Sequence, residues 1–97
     1  MPTTYETLQQ HRNEILSLAT LKGLCDVRVF GSVARGKETE NSDIDLLVNV
    51  ANTSDPFAFL DFQEAISTMF SHKVDLVFES GLYHAMRNKV LQEAKEI

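Results

Sequence analysis

The sequence predicts a small α/β (α+β) domain, a mixed sheet of about three strands packed by about four helices. Three observations predict it. Residues 26–30, 44–50 and 73–78 are short runs rich in Val, Leu, Ile and Phe, each bounded by glycine or polar turn residues. Apolar residues between these runs recur at helical spacing. The resulting order, α-β-(α)-β-α-β-α, is satisfied by one sheet with helices laid against it. At 97 residues the chain is expected to form one domain, 1–97, around a single modest core.

The elements follow in order. Thr3 and Glu6 have the spacing of a capping box, and Leu8, Ile15, Leu18, Ala19 and Leu24 recur at roughly helical intervals. A helix is therefore expected over about 4–22, with Gly23 as its stop. Asp26-Val27-Arg28-Val29-Phe30 alternates polar with apolar and ends at Gly31, which reads as a strand. A short helical turn through Ser32 to Arg35 follows, then a polar loop over 37–42. Ile44 to Val50 is the second strand. Ser54 or Asp55 is expected to cap the next helix, with Pro56 in its first turn and Phe59, Phe62, Ile66, Met69 and Phe70 on one side. Residues 73–78 form the third strand. A last helix from Leu82 carries Met86, Val90, Leu91 and Ala94 as its apolar face.

Composition narrows the function. A net charge of −5 argues against a non-specific nucleic-acid binder, so DNA is not an expected partner. Nucleotides remain accessible to an acidic protein when divalent cations sit between its carboxylates and the phosphates. No apolar run approaches the roughly 18 residues of a membrane span, and the first residues lack a signal-peptide pattern. The lone Cys25 rules out an internal disulfide and fits a reducing cytoplasm; beside an apolar strand it reads as a buried structural thiol. His11, His72 and His84 lack metal-ligand spacing.

The stretch 31–48 carries the chemistry. Gly31-x4-Gly36-Lys37 approaches a P-loop, but Glu38 stands where a hydroxyl should bind magnesium, and the following residues are too polar for a packed helix. The P-loop is rejected. Gly31 and Ser32 still suit a phosphate: the glycine admits close approach, and the serine offers a hydroxyl and an N–H at a helix start. Asp43 and Asp45 stand two apart at the beginning of a strand, so their side chains share a face, with Cα atoms about 6.5 to 7 Å apart. Such a pair repels unless a cation intervenes, and oxygen-only ligands suit Mg²⁺ or Mn²⁺. Asp75, flanked by apolar residues, is costly without a partner. If its strand lies beside the Ile44 strand, the three carboxylates can hold two metal ions about 3.5 to 4 Å apart, as in-line phosphoryl displacement requires. The competing account has Asp43 capping a turn, Asp45 solvated and Asp75 paired with a lysine.

Gly31-Ser32-x-x-Arg35-Gly36 followed by Ser42-Asp43-x-Asp45-Leu46-Leu47-Val48 resembles the signature of the DNA polymerase β-like nucleotidyltransferases. Within them the chain resembles the minimal nucleotidyltransferases (MNT), the antitoxin half of HEPN/MNT toxin–antitoxin pairs. The resemblance implies a minimal polymerase β-like core. It implies that Gly31 and Ser32 hold the β- and γ-phosphates of an NTP, with Ser42 in the nucleotide-binding set. Arg35 is either a phosphate contact, a structural contact or a solvated surface arginine. Asp43, Asp45 and Asp75 would bind two Mg²⁺ ions (or Mn²⁺), with Asp75 helping to deprotonate the acceptor hydroxyl. ATP is the implied substrate and AMP the transferred group.

The catalytic core uses nearly all of the sequence, so the acceptor is expected to be presented by another molecule. The resemblance supplies a HEPN ribonuclease toxin modified on a tyrosine, and it is compatible with a homodimer or a mixed complex with the toxin. Phe57, Phe59 and Phe62, or the last helix, could offer it an apolar surface; plain core packing is the alternative. Two other functions stay open: an antitoxin that neutralises by binding alone, and transfer to a small molecule or RNA end with a separate acceptor-binding subunit.

Overall fold

The computed structural model describes residues 3–39, 41–52 and 55–97. Among them run α1 (Thr4–Gln10), α2 (Arg12–Leu21), β1 (Leu24–Phe30), α3 (Gly31–Arg35), β2 (Ile44–Val50), α4 (Ala58–Phe70), β3 (Val74–Phe78), a 3-10 turn at Glu79–Gly81, α5 (His84–Glu93) and β4 (Lys95–Glu96). The sheet order is β3-β2-β1-β4. β1 runs antiparallel to β2 and β4, while β2 and β3 are parallel, joined through α4. The predicted mixed α/β architecture is present, with a fourth strand beyond the three expected.

One sheet face and the helices against it make the core. Leu8, Ile15 and Ala19 from α1 and α2 meet Phe62 and Ile66 from α4 over Val29, Leu46, Val48 and Val74 of the strands, all essentially inaccessible. The expected capping box is complete: Glu6 N–H donates to Thr3 Oγ1 and Thr3 N–H to Glu6 Oε1.

Several boundaries differ from expectation. The single helix over 4–22 is divided at His11, whose backbone leaves helical values (φ −104°, ψ 17°). Its ring meets Phe70 edge-on at 5.5 Å and its Nδ1 lies 3.2 Å from Glu14. Leu24 belongs to β1, not to a helix face, because Gly23 turns the chain at φ 76°. Asp55 Oδ1 accepts the Phe57 N–H at 2.9 Å, so α4 starts at Ala58 and Pro56 stands before its first turn. Ser54, the other expected cap, lies outside the described residues. Met69 faces solvent in part, Phe57 is exposed, and Phe62 is core. The last helix stops at Glu93, and Ala94 leads into β4. Cys25 is only partly buried, not fully as expected; burial first, then the neighbouring Asp26, raises its thiol pKa.

Candidate active site

The face opposite the core carries the chemistry. The β1/β2 and β2/β3 registers place Phe30, Asp45 and Asp75 in one row across three strands. Residues paired in register point to the same side, so the parallel pairing of β2 with β3 brings the two carboxylates together. Asp43 immediately precedes β2. Lys73 Nζ lies 3.7 Å from Asp43 Oδ2 and 3.8 Å from Asp75 Oδ1, so the lysine pairing foreseen for Asp75 exists and spans two of the three aspartates.

Asp45 is the strained member electrostatically. Burial, then the charges of Asp75 and Asp43, push its pKa up to about 6, with Arg35 opposing. A cluster of oxygen-only donors that raises the pKa of its own central member fits a hard divalent cation. Among the described residues, no three His, Cys, Asp or Glu side chains are already drawn together tightly enough to enclose an ion.

Beside this row sits α3. Gly31 begins it at φ 72°, and a Cβ there would lie 2.2 Å from Asp45 Oδ2. The glycine is therefore required first by the carboxylate behind it. Its N–H donates to Glu93 Oε1 at 3.0 Å, and Arg35 Nη1 donates to Glu93 Oε2 at 3.0 Å. Burial pushes the Glu93 carboxyl up, but these bonds and the Arg35 charge outweigh it and leave the pKa below its ordinary value. Arg35 thus has a definite structural partner. Ser32 stays partly accessible at the helix start. Ser42 Oγ accepts the Thr39 N–H at 2.8 Å, so its hydroxyl shapes the loop that delivers Asp43.

Sequence reasoning missed Glu93, and it foresaw a lysine for Asp75 without naming Lys73 or its reach to Asp43. Glu93 follows Met86 and Val90 at the i, i+4, i+7 spacing of one helix face, and a carboxylate in that stripe was a usable signal. Glu38, read as a loop residue, accepts the Thr4 N–H at 3.1 Å and ties the loop to α1.

A sheet that aligns two aspartates beside a glycine-led helical turn, with a third aspartate at the strand start, defines a nucleotidyl-transfer domain. The nucleotidyltransferase domain family matches residues 8–97, and the chain belongs to it. It is similar to protein adenylyltransferase MntA of Thermococcus cleftensis, 34% identical over 73% of this chain and 72% of that protein. A solved structure assigned as a minimal nucleotidyltransferase has a TM-score of 0.82 at 40% identity, covering 95% of this chain and 94% of the other. A chain of a toxin–antitoxin crystal structure with AMP-PNP has a TM-score of 0.70 at 28% identity, covering 87% and 69%. The protein is an enzyme of the nucleotidyltransferase class, of the minimal kind.

Proposed function

We propose that this chain transfers AMP from ATP to a tyrosine hydroxyl of a HEPN-type toxin and thereby acts as its antitoxin. The observation that carries the reading is the in-register pairing of Asp45 with Asp75, next to Asp43 and to the Gly31–Ser32 turn. The likeness to MntA and to a toxin–antitoxin chain with AMP-PNP supports ATP and a toxin partner.

Asp43, Asp45 and Asp75 would hold two Mg²⁺ ions, which when bound neutralise phosphate charge and orient the α-phosphate. Ser32 hydroxyl and N–H bind the outer phosphates. Asp75 accepts the acceptor's hydroxyl proton; the oxygen bonds to the α-phosphorus, and the bond to the β-phosphate bridge breaks, releasing pyrophosphate. The chain's contribution is positioning and charge placement, the main terms in phosphoryl-type transfer.

The test is the intact mass of a HEPN-type toxin, taken first from the neighbouring gene, after incubation with this chain, ATP and Mg²⁺. A gain in multiples of one AMP, absent with Asp43→Asn/Asp45→Asn, is expected. Neutralisation by both forms without a mass gain would leave an antitoxin that works by occlusion.

A further inference from the structure

A cleft of about 460 Å³ opens between β3, the segment after it and α5. Its walls are Phe30, Val77, Leu82 and Val90, and Tyr83 and Met86 form its rim. Asp45, Asp75 and Gln63 are its polar lining. Tyr83 is 78% exposed and Met86 52% exposed, so two large apolar groups are held in solvent beside the carboxylate row. Among the described residues no lysine or arginine lines the cleft, and apart from Asp45, Asp75 and Gln63 its lining is apolar, glycine or the Tyr83 ring.

We infer that this cleft seats the aromatic ring of the acceptor, a tyrosine side chain of the partner protein, and that Tyr83 and Met86 select it. The inference rests on the adenylyl-transfer reading. In-line displacement puts the attacking and leaving oxygens on opposite sides of the α-phosphorus. Pyrophosphate leaves on the side of Gly31 and Ser32, at the end of β1. The attacking oxygen therefore approaches from the β3 side, where Asp75 and this cleft lie. Apolar walls that also present the Asp45 and Asp75 carboxylates match a phenol, which has a flat hydrocarbon body and one polar tip. The sulfur of Met86 and the ring of Tyr83 are the contacts such a ring favours.

The test is NMR of the full chain, labelled at backbone amides and methionine methyls. AMP-PNP with Mg²⁺ is added first, then N-acetyl-L-tyrosinamide. The expected result is that AMP-PNP shifts the Gly31 and Ser32 amides, and tyrosinamide alone then shifts the Met86 methyl and the Tyr83 amide. In Met86→Ala the tyrosinamide response at Tyr83 weakens by at least about fivefold, with the AMP-PNP response kept. A Met86 methyl that answers to adenosine and not to tyrosinamide would make the cleft a nucleoside site and overturn the inference. A methyl that answers to neither also overturns it. Failure of AMP-PNP to move Gly31 and Ser32 would instead strike the nucleotidyl-transfer reading itself.

Discussion

Gly31 shows how one residue answers two demands. Its left-handed backbone and the Asp45 carboxylate 2.2 Å from any added Cβ both exclude a side chain. Gly31→Ala is expected to lose about 2 kcal/mol or more in urea unfolding; a loss under about 0.5 kcal/mol would mean that Asp45 moves aside freely. Asp45 should behave in the opposite sense. Its raised pKa says that the fold disfavours its charge, so Asp45→Asn is expected to raise the melting temperature of the metal-free chain at neutral pH while lowering transfer at least about 100-fold. A destabilised variant would show that the carboxylate is not under repulsion. The aspartates were legible in the sequence because a carboxylate among apolar strand residues has few structural uses. Glu93 was not, because its partners Gly31 and Arg35 are some sixty positions away and meet it only once α5 is packed.

Among the elements, α5 is held at both ends. Glu93 binds α3 at its C-terminal end, and Arg87 donates to the Glu79 backbone carbonyl at 3.2 Å near its start. Glu93→Gln is expected to cost about 1 to 2 kcal/mol in chemical denaturation. Arg35→Met should cost a similar amount, and the double variant less than the sum, since both remove one interaction. Full additivity would mean that the pair is not coupled. The three longer strands were readable from β-branched runs closed by turn residues. β4 was not: two polar residues, Lys95 and Glu96, have no strand signature and pair with β1 only because its edge is open to them. The division of the first helix at His11 was equally hidden, since neither glycine nor proline marks it.

For the molecule as a whole, stability should report the carboxylate row through pH. A carboxyl with a raised folded pKa favours the fold below its unfolded value, and that contribution is lost as pH rises through the folded value, here about 6. Glu79 and Glu93 have lowered values, so what they contribute is lost only under more acidic conditions. Metal-free protein is therefore expected to melt lower as pH rises from about 5 to about 7, with the drop reduced by Mg²⁺. Melting curves with chelator and with Mg²⁺ check this; a drop that Mg²⁺ leaves untouched would place the ion elsewhere. The parallel pairing of β2 with β3 has a consequence for how the molecule tolerates change. Strand spacing, about 4.8 Å, gauges the distance between Asp45 and Asp75 regardless of how much chain connects them. Insertions ahead of α4 leave that gauge untouched. Deleting Val74 would keep every charge yet turn Asp75 to the wrong side of the sheet.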